Sequence, residues 1–282
     1  MVVDKENGHE PRRRLNDLDG KQWVMATKSW FLVRPRPRTR AEMTHPAKFP
    51  EELAERFVCF FTRSGEWVLD PFAGVGSTLL ACARLGRRGV GIELVPDFVS
   101  VAQETLRSRE NGLQQTMIQG DARQAVGILN EHFSGNPPRF SYVLTSPPYY
   151  DMLRKSRGGN RTTHRQRIAM GLRADYSDMS LDIGNVAEYD EYITQVVSVM
   201  NALSELLEPG AYVTVVAQNM RDTDGVMRPI AWDLARGMSQ AYVLRQEQIW
   251  CQDDKRLCCW GYPTTYVSNV HHHYCLILQK PR

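Results

Sequence analysis

Apolar positions recur along this chain with two different periods, and the alternation between them predicts an α/β architecture. Leu53, Phe57, Phe60 and Phe61 fall at i, i+4, i+7 and i+8, the stripe of an amphipathic helix entered through Pro50. Trp67-Val68-Leu69-Asp70 is a short run of strand type, and a helix is predicted from Ser77 to Leu85, closed by Gly86. Val90-Gly91-Ile92-Glu93 reads as a second strand. Pro96 to Arg107 reads as a helix with Phe98, Val101 and Ala102 on one face. Met117-Ile118 and Tyr142-Val143-Leu144 predict the third and fourth strands. The longest helical stripe runs through Tyr189, Tyr192, Ile193, Val196, Val199, Met200, Leu203, Leu206 and Leu207. Pro209-Gly210 then predicts a turn into a strand from Tyr212 to Ala217. A short helix near Ile230 to Met238 and strands from Tyr242 to Trp250 and Tyr274 to Gln279 complete the pattern. Strands alternating with helices in this way predict one doubly wound α/β domain.

Two stretches break the rhythm. In residues 1–44 the run Arg34-Pro35-Arg36-Pro37-Arg38-Thr39-Arg40 cannot be helix interior, because proline fixes φ and lacks a donor. It predicts an extended basic arm, with Trp23-Val24-Met25 and Trp30-Phe31-Leu32-Val33 docking on a core. Residues 151–188 carry Arg154, Lys155, Arg157, Arg161, Arg165, Arg167 and Arg173 with few large apolar side chains. An irregular insert of that length in a compact domain is usually functional or mobile. The expected organisation is therefore an arm, 1–44, and a catalytic domain, 45–282, with a basic insertion at 151–188.

Composition narrows the class. An apolar content of 42% with 24% charged residues supports a buried core and excludes collagen-like, coiled-coil and wholly disordered chains. No apolar run reaches 18 residues, so no membrane span is expected, and the first residues lack the apolar stretch of a signal peptide. The cysteines at 59, 82, 251, 258, 259 and 275 form no CxxC pair and read as reduced thiols of a cytoplasmic protein. The Cys and His residues around His271, His272 and His273 lack zinc-ligand spacing, so no metal site is expected.

Candidate chemistry sits at strand ends. The strand ending at Asp70 leads through Pro71-Phe72-Ala73-Gly74-Val75-Gly76 into Ser77, Thr78 and a helix. Glycines at that junction let a ligand approach the backbone at a helix N-terminus. The third glycine of a dinucleotide fingerprint is replaced by Leu79, which argues against a nicotinamide cofactor. Glu93 ends the next strand, where an acid can bind ribose hydroxyls, and Asp121 in Gly120-Asp121-Ala122 can accept from an adenine amino group. After the fourth strand, Thr145-Ser146-Pro147-Pro148-Tyr149 forms a turn that two prolines stiffen, holding an aromatic ring in a fixed place.

These segments resemble the S-adenosylmethionine-dependent amino-methyltransferases of DNA. Asp70 to Thr78 is similar to the family's Asp-Pro-Phe-x-Gly-x-Gly-[Ser/Thr]-Thr motif. Ser146 to Tyr149 is similar to its [Asp/Asn/Ser]-Pro-Pro-aromatic motif, and His45-Pro46-Ala47-Lys48-Phe49-Pro50 to its His-Pro motif. The resemblance implies a class I methyltransferase (Rossmann-like) fold: a seven-stranded, mostly parallel sheet with helices on both faces and an antiparallel hairpin at the edge. It implies S-adenosylmethionine as cofactor, held by His45, Phe49, Pro50, Asp70, Phe72, Ala73, Gly74, Gly76, Ser77, Thr78, Glu93, Leu94, Asp121 and Ala122. Ser146, Pro147, Pro148 and Tyr149 become the catalytic set.

Serine at the first position of the turn implies methylation of cytosine N4. Adenine N6, an RNA base, and a non-catalytic nucleic-acid-binding module stand as alternatives. Ser146 Oγ and the Pro147 carbonyl would take the two amine protons and aim the nitrogen lone pair, while Tyr149 stacks on an extruded base. Cytosine C5 methylation needs a cysteine nucleophile, which by resemblance follows a proline, and none of the six cysteines does. Many serine-type relatives carry their motifs in the permuted order. With no separate recognition domain expected, DNA contact falls to Arg154, Lys155, Arg157, Arg161, Arg165 and Arg167, helped by the arm. A homodimer or a separate specificity subunit is a further partner to be considered, and no membrane is.

Overall fold

The computed structural model describes residues 14–37, 48–108, 113–150, 179–222, 225–255, 257, 259 and 261–282. The main strands are β1 (Trp30–Leu32), β2 (Trp67–Asp70), β3 (Arg88–Glu93), β4 (Gln115–Gln119), β5 (Phe140–Thr145) and β6 (Leu207–Ala217). A two-stranded ribbon of β7 (Met220–Arg221) and β8 (Met227–Arg228) precedes β9 (Val243–Cys251) and β10 (His272–Gln279). The main sheet has the order β1-β9-β10-β6-β5-β2-β3-β4. Strands β4, β3, β2, β5 and β6 run parallel; β10 is antiparallel to both β6 and β9.

The helices are α1 (Gly20–Ala26), α2 (Glu51–Phe61), α3 (Ser77–Leu85), α4 (Pro96–Arg107), α5 (Ala125–His132), α6 (Tyr189–Ala202) and α7 (Ile230–Gly237). Alternation along β5 shows how the sheet separates two apolar layers. Val143 faces the layer containing Leu129, Val196 and Leu234 of α5, α6 and α7. Tyr142 and Leu144 face the layer containing Leu53, Phe57 and Phe61 of α2. There Phe61 packs on Tyr142 and Tyr212 with ring centroids 5.2 and 4.8 Å apart. Helices α3 and α4 begin and end where the sequence predicts, because Gly86 closes α3 in the left-handed region and Pro96 opens α4.

The sheet has eight strands, not seven. The additional strand is β1, from the stretch expected to be arm, and it pairs parallel with β9. Phe31 turns inward and meets Phe57 edge-on at 5.8 Å, while Trp30 and Leu32 stay exposed. The β9–β10 hairpin is therefore covered and does not form the rim. Within α1, Trp23 packs on Phe60 at 4.8 Å, and Val24 and Met25 remain exposed. Of the basic residues flanking the prolines, Arg36 pairs with Glu52 and Glu55 of α2.

Two further expectations change. Pro209-Gly210 does not make a turn: β6 already begins at Leu207, and Gly210, at φ 79°, takes up the register shift opposite Phe140 and Tyr142. The stripe through Leu207 ends earlier as helix, at Ala202, and continues as a 3-10 turn over Leu203–Leu206. Helix α5 has no counterpart in the sequence reading. No helix of the described residues is long and apolar enough to cross a membrane.

Candidate active site and cofactor cleft

Strand order reverses between β2 and β5, so the loops leaving their carboxyl ends diverge and open a crevice. Phe49, Phe72, Ala73, Gly74, Ser77, Glu93, Leu94, Asp121 and Ala122 line this cleft, with Ser146 and Pro148 at its side. The cleft thus brings together most of the residues expected to hold the cofactor and half of the Ser-Pro-Pro-Tyr turn. Pro50, Asp70, Gly76, Thr78, Pro147 and Tyr149 are not among the residues that line it. His45 and the expected DNA-contacting residues Arg154, Lys155, Arg157, Arg161, Arg165 and Arg167 lie outside the described residues.

Asp70 is a tie between elements. Its Oδ1 accepts from the Phe72 amide at 3.1 Å and from Thr145 Oγ1 at 2.7 Å, and its Oδ2 accepts from Thr78 Oγ1 at 2.6 Å. One carboxylate therefore fastens the ends of β2 and β5 and the first turn of α3. Burial raises its pKa to about 6, against the three donors that favour the charge. Gly76 is required for two structural reasons: its φ of 84° is left-handed, and a Cβ there would meet Ala102 of α4 at 3.2 Å. Ser77 Oγ donates to the Phe49 carbonyl at 2.9 Å, which joins the segment before α2 to the glycine loop.

Glu93 accepts from the Gly74 amide at 2.8 Å through Oε2 and from the Val95 amide at 2.9 Å through Oε1. Each oxygen keeps a second lone pair. Burial pushes its pKa up to about 7, with the charges of Asp182 and Asp70 adding to the rise. Asp121 caps the turn at Ala122–Gln124 and pairs with Arg123, whose Nη2 lies 2.6 Å from Oδ2. Arg123 also donates to the Leu181 carbonyl at 2.8 Å and to Gln195 at 3.2 Å.

In the turn after β5, Ser146 Oγ donates to the Val216 carbonyl of β6 at 3.0 Å. With its proton directed to Val216, one lone pair can take the Tyr149 hydroxyl and one is left to accept. The Tyr149 hydroxyl pairs with the Ser146 side chain, and burial raises the phenol to about 12. The Tyr149 ring is buried and lies 6.1 Å from His273 of β10.

Several lining residues escape the sequence reading. Lys48, Val95 and Phe98 complete the wall on the α2 and α4 sides, and Lys48 pairs with Glu51 at 3.2 Å. Leu181, Asp182 and Ile183, at the end of the expected insertion, close the other side. Asp182 is visible only as a charge in the sequence, yet its side chain caps a short turn by accepting from the Gly184 amide at 2.9 Å. Among the described residues no cluster of His, Cys, Asp and Glu is arranged to hold a metal.

The donor set fits a cationic nucleoside. Two carboxylates at neighbouring strand ends can accept from hydroxyl and amino groups. Phe72, Leu94, Phe98 and Phe49 offer apolar surface for a flat ring, and the excess of acid favours positive charge.

Comparison with known proteins covers part of the site: the matched residues include the Asp70–Thr78 loop and Glu93 but not Asp121 or the Ser146–Tyr149 turn. The family model described as DNA methylase matches residues 4–104. The type II methyltransferase M.HpaI of Haemophilus parainfluenzae is 40% identical over 102 residues, 36% of this chain and 32% of that protein. The type II methyltransferase M2.DpnII of Streptococcus pneumoniae is 39% identical over 64 residues, 23% of this chain and 24% of that protein. The chain thus matches about a third or less of the length of these curated relatives. The crystal structure of TrmN from Thermus thermophilus superposes with a TM-score of 0.50 at 17% identity, covering 86% of this chain and 52% of that one. The fold is that of class I methyltransferases, here with eight strands in the main sheet. Fold and family match together indicate S-adenosylmethionine as the methyl donor.

Proposed function

We propose that this protein transfers a methyl group from S-adenosylmethionine to an exocyclic amino group of a base in DNA, the N4 amine of cytosine. The observation that carries this reading is the state of Ser146. Its hydroxyl proton goes to Val216, which leaves the oxygen as an acceptor at the side of a cofactor cleft. An amine conjugated to its ring is a weak nucleophile, and a fixed acceptor for an amine proton turns its lone pair toward an electrophile. Bound S-adenosylmethionine supplies that electrophile as a methyl group on a sulfonium.

The chain's own residues do the rest. Glu93 and Asp121 would hold hydroxyl and amino groups of the nucleoside, and Gly74 and Ser77 would border the rest of it. Asp70 fixes the distance between the cofactor loop and the Ser-Pro-Pro-Tyr turn through Thr78 and Thr145. The Pro147 carbonyl would take the second amine proton and Tyr149 would stack on the extruded base. Arg154, Lys155, Arg157, Arg161, Arg165 and Arg167 would neutralise phosphates. The serine motivates cytosine N4 over adenine N6. The test is to incubate the protein with labelled S-adenosylmethionine and unmethylated plasmid DNA, then digest to nucleosides. N4-methylcytosine is the expected product. N6-methyladenine would move the target to adenine, and no transfer to any DNA would overturn the reading.

A further inference from the structure

His273 stands on β10 directly behind the Ser-Pro-Pro-Tyr turn. Its ring lies 6.1 Å from Tyr149 and stacks at 4.7 Å on Trp250 of β9. The residue is 6% exposed, and its Nδ1 is buried without a hydrogen-bond partner. Burial, with the charges of Lys255 and His272 adding to it, pushes the imidazole pKa down to about 3. The ring is therefore neutral at any ordinary pH and offers one N–H and one lone pair.

Among the described residues none pairs with that nitrogen. A phenyl ring would stack on Trp250 as well and would leave no dry polar atom, whereas an unpaired buried nitrogen works against stability. A polar atom kept dry inside a protein points to a partner that comes from outside the chain. The neighbourhood narrows the partner's chemistry. Tyr149 is in contact, and the Tyr149 hydroxyl pairs with Ser146, the acceptor at the edge of the cleft. A neutral imidazole among aromatic rings suits a neutral, planar nitrogen heterocycle and does not suit a phosphate.

We propose that His273 reads the target base. With the amine of the base at Ser146 and its ring at Tyr149, Nδ1 forms a hydrogen bond to a ring nitrogen or carbonyl on the edge of the base. This inference rests on the base-methylation reading above and adds a specificity-determining residue to it.

Two substitutions separate the polar atom from the ring. His273→Asn keeps a polar atom bonded to Cγ, where Nδ1 stands, and loses the ring. His273→Phe keeps the ring and loses the polar atom. With unmethylated plasmid DNA, His273→Phe should lower kcat/KM for DNA by about tenfold or more, as loss of one buried hydrogen bond does. His273→Asn should retain more activity than His273→Phe, and both should bind S-adenosylmethionine with wild-type affinity by calorimetry. A packing role gives the opposite order, Phe above Asn, and that order, or a Phe variant with wild-type kinetics, overturns the inference.

A second readout needs no turnover and no variant. The imidazole 15N resonances of His273 in the cofactor-loaded wild-type protein should shift when DNA is added, and unchanged resonances also overturn the inference. The two readings fail separately. An inactive wild type whose Nδ1 still responds to DNA sinks only the proposed reaction, and an active wild type with an indifferent Phe variant sinks only the role of His273.

Discussion

The loop after β2 and the turn after β5 flank one crevice, yet they are completed in different ways. In the loop, every carboxylate oxygen of Asp70 and Glu93 accepts a hydrogen bond from the chain itself. In the turn, Ser146 keeps free acceptor capacity, and the imidazole behind Tyr149 holds an unpaired nitrogen. The first region is a finished scaffold that a ligand can lean on. The second holds polar groups with unused hydrogen-bonding capacity. A site divided in this way separates holding a cofactor from orienting a second substrate, so substitutions on the two sides should have different signatures.

The largest expected effect breaks the scaffold. Asp70→Ala strands the hydroxyls of Thr78 and Thr145 and the Phe72 amide, two of them in the core, and unties β2 from β5 and α3. Losing a buried, charge-assisted network of this size should destabilise the fold by about 3 kcal/mol. Urea unfolding measures it. A midpoint unchanged from wild type would mean that the carboxylate serves the ligand and not the scaffold.

Next comes the turn. Ser146→Ala removes the acceptor for the substrate amine while leaving the cofactor loop intact. Turnover should fall by about 100-fold, the lower end of the range for loss of one preorganised hydrogen-bonding group, and cofactor affinity should not change. A variant with the wild-type rate would take Ser146 out of the reaction. Parallel losses in rate and cofactor affinity would erase the distinction between the two regions.

A smaller effect concerns Glu93 and its titration. With its pKa near 7 in the folded protein against 4.5 ordinarily, folding favours the protonated form. Its contribution to stability is therefore present below about pH 4.5 and is lost as pH rises through about 7. Cofactor binding runs the other way, because the ionised carboxylate accepts from hydroxyls and favours a sulfonium. Affinity should rise with pH and level off above 7, with binding at pH 6 about tenfold weaker than at pH 8. Glu93→Gln should flatten that profile, and a wild-type profile already flat from pH 6 to 8 would remove Glu93 from the cofactor's contacts.

What the sequence makes legible follows the range of the interactions. The limits of α3 and α4 are written locally, in a left-handed glycine, a proline and an apolar stripe, and they can be read from neighbouring residues. The duties of Asp70 and Gly76 are not local. Asp70 meets Thr145 from 75 residues away, and a side chain at Gly76 would meet Ala102 on the next helix, so these structural duties are hidden when only the loop is in view. Strand β1 is three residues long, too short for a period, and its partner is the far strand β9. The burial of His273 cannot be read from the run His271-His272-His273, because it depends on Trp250 and Tyr149, one on another strand and one in another loop.

The smallest predicted effect lies where the scaffold touches the far end of the insertion. Arg123 holds Asp121 by a bidentate pair and reaches the Leu181 carbonyl, so it positions an acid of the cleft and the segment that closes it. The guanidinium is partly exposed, which weakens each contact through screening. Arg123→Ala should therefore weaken cofactor binding only about two- to fivefold, without the turnover defect of Ser146→Ala at saturating cofactor. The effect should shrink further in Arg123→Lys, which keeps the charge beside Asp121 but cannot span both partners. Calorimetric titration at low and high salt is the measurement. A loss as large as that from an ionisation change at Glu93 would show that the cleft is assembled by the Arg123 contacts, and that the scaffold is less complete than its hydrogen bonds imply.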